Sequence, residues 1–512
     1  MLTKVYGAAV QGIDATLITI EVSSTKGCMF FMVGLPDNAV KESYRRIVSA
    51  LQESGYKLPA TSLTINMAPA DIRKEGSAYD LPLAVGILGA TQVISTDKFE
   101  KFLIMGELSL DGSVQPIKGM LPIAIMAREL GFEGMIVPEA NAREAAVVNR
   151  VQVYGVNHLT QVLDFLNGKG DLQPTVVNTR EEFYQQQTHF DLDFADVKGQ
   201  DNVKRALEVA AAGGHNILLI GAPGSGKSML AKRLPSILPP LSLGESLETT
   251  KIHSVAGKLG RDGGLISRRP FRDPHHTIST VAMTGGGAYP QPGEISLAHN
   301  GVLFLDELPE FNRNVLEVLR QPLEDRKISI SRIKSNVDYP ASFMLVASMN
   351  PCPCGYYNHP TKACVCSPGQ VQKYLNRISG PLLDRIDLQI EVIPVPFEKM
   401  SDARPAESSE VIRERVMRAR EIQARRFASE RGIYSNSQMT SRLIAAYARP
   451  DDAGLQLLKN AMTRLNLSAR AYDRILKVAR TIADLEGSDT VMPQHLAEAI
   501  GYRSLDREDW AG

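Results

Sequence analysis

One short segment constrains the fold of this chain more than any other. It follows the apolar run 216–220 and consists of Gly221, Ala222, Pro223, Gly224, Ser225, Gly226, Lys227 and Ser228. In this GxxxxGK[ST] pattern, glycines permit positive φ and let backbone N–H groups approach a phosphate chain closely. The pattern predicts a buried strand, a phosphate-binding loop and a helix, with Lys227 on the β and γ phosphates and Ser228 on Mg²⁺. The sequence therefore predicts a nucleotide site.

Composition narrows the class of protein further. Of the 512 residues, 57 are Lys or Arg and 57 are Asp or Glu, so no overall positive charge indicates nucleic acid. Any such contact would have to come from local patches or from a ring of subunits. The first residues lack the apolar core of a signal peptide, and no apolar run reaches about 18 residues. We therefore expect a soluble, cytoplasmic protein with no membrane partner.

Hydrophobic periodicity divides the chain into predicted parts. Residues 1–168 alternate strand-like and helical segments, which indicates an α/β domain. Residues 169–193 are polar and lose the periodicity, and we interpret them as a linker. Residues 194–398 form a second α/β block that contains the phosphate loop, and residues 399–512 are predicted to be all-helical. The amphipathic segments of this last part are 409–426, 441–448, 455–465, 469–485 and 493–502.

Polar side chains end two more apolar runs of the second block. Residues 301–305 lead to Asp306 and Glu307, and residues 342–349 lead to Asn350. Asp306 would hold Mg²⁺, directly or through water, and Glu307 would polarise the attacking water. The carboxyl ends of parallel strands share one edge, where the Asn350 amide can orient the water or sense the γ-phosphate. The pattern predicts nucleotide hydrolysis at this edge.

The order of these elements resembles that of AAA+ ATPases. Residues 382–387, with sequence LLDRID, resemble the arginine-finger motif of that class. The resemblance implies that Arg385 reaches the nucleotide of a neighbouring subunit and stabilises the charge of the transition state. A site shared in this way implies a homo-oligomer, most often a hexameric ring. A surface salt bridge is the alternative role for this arginine.

Two further segments extend the resemblance to AAA+ ATPases. Residues 467–470 resemble the sensor-2 motif, which implies that Arg470 contacts the γ-phosphate from the helical lid. The same alternative, a surface salt bridge, applies to Arg470. Residues 194–200 resemble the segment that holds the adenine, which implies an apolar contact from Val197. The resemblance identifies the nucleotide as ATP.

Two insertions resemble those of the magnesium-chelatase and MCM-helicase branch. Residues 251–294, rich in Gly and Pro, resemble the helix-2 insertion, and residues 327–339 alternate like a β-hairpin and resemble the pre-sensor hairpin. In related rings these insertions face the central pore. Arg332 and Lys334 are therefore candidate contacts of DNA phosphates. A solvated hairpin tip is the alternative.

Candidate metal ligands lie close together in the sequence. Four of the five cysteines form two CxC pairs with nine residues between them, namely Cys352, Cys354, Cys364 and Cys366. Four thiolates can close a tetrahedral structural Zn²⁺ site, and oxidised pairs or inert packing are the alternatives. Cys28 stands alone and is predicted to be a core residue. His275 and His276, adjacent on a predicted strand, would point to opposite faces, so we interpret them as structural or pore-contacting residues.

The first domain resembles a protease domain without its catalytic groups. Residues 74–84 and 105–119 resemble the proteolytic domain of Lon. That chemistry needs a serine nucleophile and a lysine base, but the two positions fall on Ala78 and Leu121. A neighbouring serine and lysine are out of register, which leaves a shifted dyad as the alternative. The resemblance implies a non-proteolytic Lon-like domain used for assembly or DNA contact.

Over nearly the whole chain, these motifs resemble the YifB/ComM family of magnesium-chelatase-like ATPases. The implied fold is α/β: a Lon-protease-like α/β domain, an AAA+ α/β/α sandwich with both insertions, and an all-helical lid. The implied function is that of an ATP-driven hexameric motor that promotes branch migration during uptake and integration of transforming DNA. The alternatives are a chelatase-type motor subunit, an ATP-dependent regulator of another protein, an ATP-dependent protease and a non-enzymatic scaffold.

Overall fold

The computed structural model describes residues 1–187, 190–260, 263–287, 290–332, 335–395, 406–465 and 467–503. Its strands are β1 (Leu2–Gln11), β2 (Asp14–Lys26), β3 (Phe30–Val33), β4 (Thr61–Ala68), β5 (Phe102–Ile104), β6 (Glu107–Leu108), β7 (Val114–Gln115), β8 (Gly134–Pro138), β9 (Gln152–Val156), β10 (Ile217–Ile220), β11 (Phe271–Arg272), β12 (Gly285–Gly286), β13 (Gln291–Pro292), β14 (Val302–Leu305), β15 (Lys327–Arg332), β16 (Ser335–Pro340), β17 (Met344–Met349) and β18 (Leu388–Glu391). Its α-helices are α1 (Asn38–Glu53), α2 (Asp80–Ala90), α3 (Met120–Glu129), α4 (Glu139–Ala146), α5 (Leu159–Leu166), α6 (Thr179–Gln186), α7 (Asp201–Gly213), α8 (Lys227–Arg233), α9 (Leu243–Val255), α10 (Thr280–Thr284), α11 (Glu294–Leu297), α12 (Arg313–Glu317), α13 (Arg320–Asp325), α14 (Pro368–Leu375), α15 (Gly380–Leu383), α16 (Ser409–Arg426), α17 (Ser441–Tyr447), α18 (Asp452–Arg464), α19 (Ala469–Leu485) and α20 (Pro493–Gly501). The chain forms two compact units, each with its own hydrophobic core.

The first unit is built on a mixed seven-stranded sheet. The strand order is β3-β4-β2-β1-β5-β8-β9, in which β2 is antiparallel to both β4 and β1 and all other neighbouring pairs are parallel. In the middle of β2 every second residue is buried, namely Ile18, Ile20 and Val22. This period of two is that of a strand with one face on a core. Helix α2, buried at every position, packs on this sheet against β1 and β2.

The first unit also includes a segment from much later in the chain. The unit consists of Met1–Gln186, Leu243–Ser267 and Pro290–Pro292. Helix α9, in the second of these ranges, packs on α3, and the N–H of Gly119 donates to the carbonyl of Ser254 at 3.1 Å.

The stretch 169–193, interpreted from the sequence as a linker, carries helix α6. An ion pair of 3.2 Å between Arg143 and Glu182 ties α6 to α4.

The second unit is built on a parallel five-stranded sheet in the order β11-β14-β17-β10-β18. Every residue of β10, β14 and β17 is buried. Continuous apolar strands of this kind are typical of parallel sheets that are covered on both faces. The α/β architecture is therefore confirmed, and the carboxyl ends of β10, β14 and β17 meet at one edge.

The carboxyl-terminal part of the second unit is helical, as predicted. The five predicted segments correspond to α16, α17, α18, α19 and α20, with ends within three residues of the prediction. A buried ion pair of 2.5 Å between Arg426 and Asp484 joins α16 to α19. The predicted boundary at 398–399 and the residues after 503 lie outside the described ranges. Within those ranges, no helix is both long and apolar enough to cross a bilayer.

The prediction that Cys28 is a core residue is wrong. Cys28 is exposed and precedes β3, which is the edge strand of the seven-stranded sheet. Along this strand exposed residues alternate with half-buried ones, and Phe31 and Val33 are exposed. The apolar run therefore reflects an edge strand whose outer face is open, not a strand in the centre of a core.

Candidate functional site

The phosphate loop connects β10 to α8 and lines one side of a cavity of about 450 Å³. Gly224 and Gly226 have φ angles of 78° and 91°, a region that favours glycine. A Cβ on Gly221 would overlap the carbonyl oxygen of Val392. The predicted residues that line the cavity are Pro223, Gly224, Gly226, Lys227, Ser228, Asp306, Glu307 and Asn350. The structure thus brings the three predicted strand ends together.

Lys227 is held at this cavity by oxygen atoms. Its Nζ donates to the carbonyls of Gly221 at 2.7 Å and Ala222 at 3.0 Å, and to Oδ1 of Asn350 at 3.3 Å. Burial lowers the pKa of Lys227, and two nearby carboxylates oppose this effect. The result is a positioned cation beside the amide predicted to sense the γ-phosphate.

Asp306 is oriented by two hydroxyl groups. Ser228 Oγ donates to Asp306 Oδ2 at 2.7 Å, and Ser348 Oγ donates to the other carboxylate oxygen. Hydroxyl and carboxylate oxygens are the ligands that Mg²⁺ prefers in proteins. Ser348 was not among the predicted site residues. The sequence could have indicated Ser348, because it lies two residues before Asn350 and alternate residues of a strand share a face.

Glu307 lines the cavity and has an unusual backbone conformation. Its φ of 55° is positive, which few residues other than glycine adopt. Its side chain is 58% exposed, and Oε2 lies 3.7 Å from Nδ1 of His276. Positive φ at a non-glycine residue frequently marks a functional site.

The interpretation of His275 and His276 as opposed strand residues is wrong. Strand β11 ends at Arg272, so both histidines lie in the turn that follows it. Their rings are in contact, with centroids 4.1 Å apart and planes tilted by 34°, and therefore lie on the same side. This geometry places His276 beside Glu307, where its ring can position the carboxylate.

We expect His276→Ala to lower kcat for ATP hydrolysis about tenfold and to leave nucleotide affinity unchanged, because the ring positions Glu307 and not the phosphates. Steady-state kinetics and titration with a fluorescent ATP analogue measure the two effects. His276→Asn retains a polar side chain and should lose less activity. A variant that weakens binding as much as turnover would contradict a positioning role.

The other predicted residues of the nucleotide site do not line this cavity. Arg385 is buried and its Nη2 lies 2.5 Å from Oε1 of Glu324. Arg470 is 66% exposed, and its Nη1 lies 3.3 Å from Oδ2 of Asp384. Val197 is buried in the core of the second unit. Each arginine thus forms an ion pair within its own chain. The predicted contacts of Arg385 and Arg470 with a nucleotide stay predictions, as does the predicted contact of Val197 with the adenine.

Strands β15 and β16 form an antiparallel hairpin with one apolar face. The buried residues of this face are Ile328, Ile330 and Tyr339. On the opposite face, Lys327 and Asp338 form an exposed ion pair of 2.9 Å. Lys334 lies outside the described residues, and only the backbone of Arg332 is described. Contact between this hairpin and DNA is therefore still a prediction.

The cysteine cluster is compact. The Sγ atoms of Cys352, Cys354, Cys364 and Cys366 all lie within 4.8 Å of one another, and all four are free thiols. Cys352 lies 3.3 Å from Cys354 and 3.7 Å from Cys364. Burial raises the pKa of Cys354, but hydrogen bonds from the backbone of Tyr356 and Val365 outweigh it and lower the pKa to about 6. This donor set suits a soft metal ion.

The positions compared with a protease dyad carry neither a nucleophile nor a base. Leu121 is fully buried, and its N–H donates to Oε1 of Glu144 at 2.9 Å. Ser254 of α9 donates to the same carboxylate at 2.5 Å. Burial raises the pKa of Glu144, and these hydrogen bonds oppose it. Ala78 is half-buried in the same unit.

Comparison with known proteins agrees with the geometry of the site. The magnesium chelatase subunit ChlI model matches residues 193–400, a second ChlI model matches residues 20–141, and the ChlI C-terminal model matches residues 406–503. The competence protein ComM of Haemophilus influenzae is 44% identical over 99% of this chain and 98% of its own length. The uncharacterized protein YifB of Escherichia coli is 44% identical with the same coverage. Lon protease 2 of Bacillus subtilis is 28% identical over 31% of this chain and 32% of its own length. The chain therefore belongs to the YifB/ComM family of magnesium-chelatase-like AAA+ proteins.

Proposed function

We propose that this chain is the subunit of an ATP-hydrolysing AAA+ ring motor that acts on DNA as a branch-migration helicase in transformation or recombination. The observation that carries the ATPase part is the convergence of Lys227, Asp306, Glu307 and Asn350 on one cavity. The family supports an ATPase motor, and a relative named as a competence protein supports a role with DNA.

The residues of the cavity fit ATP and Mg²⁺. Backbone N–H groups of the phosphate loop and the Lys227 ammonium suit a polyphosphate, whereas Ser228 and Asp306 offer hard oxygen ligands to the metal. When bound, Mg²⁺ neutralises the charge that develops on the phosphate oxygens. Glu307 then accepts a proton from the attacking water, and Asn350 orients that water.

A neighbouring subunit would complete the site. Neither Arg385 nor Arg470 lines the cavity that the described residues of its own chain form. We propose that both act on the nucleotide of an adjacent subunit in a hexameric ring, and that Arg385 leaves Glu324 when the ring forms. AAA+ proteins of this kind typically oligomerise. The predicted contact of Arg470 with the γ-phosphate from the helical lid is thereby assigned to the nucleotide of the adjacent subunit.

The domains have separate proposed roles. We propose that residues 1–168 form a non-proteolytic Lon-like domain for assembly or DNA contact, supported by the partial similarity to a Lon protease and by Ala78 and Leu121. Residues 169–193 would be a linker, 194–398 the ATPase core and 399–512 the helical lid. The hairpin of β15 and β16, through Arg332 and Lys334, would contact DNA phosphates.

The proposed function predicts that DNA stimulates ATP hydrolysis. We expect single-stranded or four-way-junction DNA to raise the rate of ATP hydrolysis by the purified protein at least about twofold, because the motor couples hydrolysis to movement. Steady-state ATPase assays and a junction-migration assay on labelled DNA measure this. Glu307→Gln is the control without hydrolysis. One rate with and without DNA, together with an unmoved junction, would contradict the proposal.

A chelatase-type motor subunit is the second candidate function. The matching family models are named after a magnesium chelatase subunit, which favours it. Such a protein, or an ATP-dependent regulator of another protein, would use the same cavity without moving along DNA. Porphyrin-dependent ATP hydrolysis would support this candidate over the DNA motor.

We also propose that the four cysteines hold a structural Zn²⁺ ion. Thiolates about 2.3 Å from a tetrahedral Zn²⁺ ion lie about 3.8 Å from one another. The sulfur pairs of Cys352, Cys354 and Cys364 lie 3.3 to 3.7 Å apart, close to that value. Four protein ligands leave no open position, so the ion would stabilise the loop and take no part in hydrolysis.

A further inference from the structure

We infer that the cysteine loop, residues 350–367, is a metal-dependent support of the ATP site, so that ATP turnover requires the zinc. This inference rests on the proposed ATPase and on the proposed zinc site, and it adds a connection between them. Two independent contacts carry it, one through the chain and one through space.

The first contact runs along the chain from the cluster to Asn350. Strand β17 ends at Met349, Asn350 follows, and Cys352 is the second residue after Asn350. Cys352 is fully buried, and its carbonyl accepts a hydrogen bond from Gly355 at 3.0 Å. The Asn350 amide accepts from Lys227 at 3.3 Å. Whatever fixes Cys352 therefore also limits the movement of the residue predicted to sense the γ-phosphate.

The second contact joins the loop to the phosphate loop itself. Gly355, directly after Cys354, lies against the ring of Pro223. A Cβ on Gly355 would lie 2.5 Å from Cδ and 2.8 Å from Cγ of that proline, and the φ of Gly355 is 83°. Both features require glycine. The loop therefore packs directly on one side of the phosphate-binding loop.

The cysteine loop has no regular secondary structure, and its other internal contacts are short-range, such as the hydrogen bonds from the N–H groups of Thr361 and Lys362 to Nδ1 of His359. Between Asn350 and Ser367 the structure contains turns and bends but no helix or strand. A metal that joins the two CxC pairs would close the loop and remove much of its conformational freedom. Because this loop begins at Asn350 and packs on Pro223, loss of the metal would loosen the site on two sides at once. Small displacements of positioning groups cost about 10²-fold in rate.

The test uses full-length protein with the distal cysteine pair changed, Cys364→Ser/Cys366→Ser. These positions remove two ligands without altering the neighbours of Asn350. We expect zinc, measured by mass spectrometry of the metal, to fall from one per chain to below about 0.1, and ATP turnover to fall about 10- to 100-fold. The matched control is Cys28→Ser, an exposed cysteine in the first unit, which should keep zinc and activity.

A second variant separates the metal from the contact. Gly355→Ala keeps all four thiols but pushes the loop away from Pro223, so it should retain zinc and still lower turnover about tenfold. Circular dichroism shows whether each variant is folded. Reduced turnover with zinc retained supports the contact between the cysteine loop and the phosphate-binding loop. If the double-serine variant does not fold, wild-type protein that has been stripped of zinc by a chelator and returned to Mg²⁺ tests the metal itself, and it should lose turnover about 10- to 100-fold and regain it when zinc is added back.

Two results would overturn the inference. One is wild-type protein without zinc, and the other is a folded Gly355→Ala or double-serine variant with turnover within twofold of the wild type. Failure of the ATPase proposal looks different, because the wild-type protein would then contain zinc but hydrolyse no ATP. In that case the affinity for a fluorescent ATP analogue is compared between the wild type and the two loop variants. A lower affinity in the variants shows that the loop supports the site, and an unchanged affinity shows that it does not.

Discussion

An Arg385→Ala protein should bind ATP with wild-type affinity and hydrolyse it about 10³- to 10⁵-fold more slowly, which is the effect of removing an arginine finger. The guanidinium would stabilise the charge of the transition state in a neighbouring subunit and would contribute little to ground-state binding. Steady-state ATPase rates and titration with a fluorescent ATP analogue, both on assembled protein, measure this separation of turnover from affinity.

The ion pair between Arg385 and Glu324 provides the control for this variant. Glu324→Gln removes the partner but leaves the guanidinium, so a finger role predicts turnover near or above that of the wild type. A purely structural ion pair predicts that both variants lose stability and activity to the same degree. Equal losses in Arg385→Ala and Glu324→Gln would therefore contradict the finger.

Glu307→Gln is expected to lower ATP hydrolysis about 10²- to 10⁴-fold while ATP remains bound, because the amide has the shape of the carboxylate but cannot accept the proton of water. The positive φ of Glu307 is a backbone property that glutamine can share, so the fold should be unaffected. Rapid-quench measurement of a single turnover reports the chemical step, and thermal unfolding confirms the fold.

Lys227→Ala is the matched comparison for Glu307→Gln. It removes the cation that contacts Asn350 and should weaken ATP binding itself. If Glu307→Gln lost affinity as Lys227→Ala does, or kept turnover within a few-fold of the wild type, Glu307 would not be the base.

The sequence was most informative where function depends on local patterns. Asp306 and Asn350 each stand directly after an apolar run, Lys227 follows such a run through the glycine-rich loop, and the carboxyl ends of parallel strands necessarily share an edge. The structure confirms that these residues lie together. The carboxyl-terminal helices were equally clear, because their apolar spacing and end residues are properties of short segments.

Features that depend on contacts distant in sequence were not predictable from the chain alone. His276 lies beside Glu307 because β11 ends early, and no spacing rule reveals a turn of that shape. Helix α9 follows the phosphate-loop helix in sequence but belongs to the first unit through Ser254 and Glu144. The partner of Arg385, Glu324, is 61 positions away. Such pairs are determined by tertiary packing.

Co-assembly of two inactive variants tests the shared site most directly. In a ring that contains both Arg385→Ala and Glu307→Gln subunits, some interfaces combine an intact Glu307 with an intact Arg385 from the neighbour. If the site is shared, co-expressed variants should hydrolyse ATP well above the sum of the two separate proteins. A mixed ring, verified by distinct affinity tags, with no more activity than that sum would contradict a nucleotide site completed by the adjacent subunit.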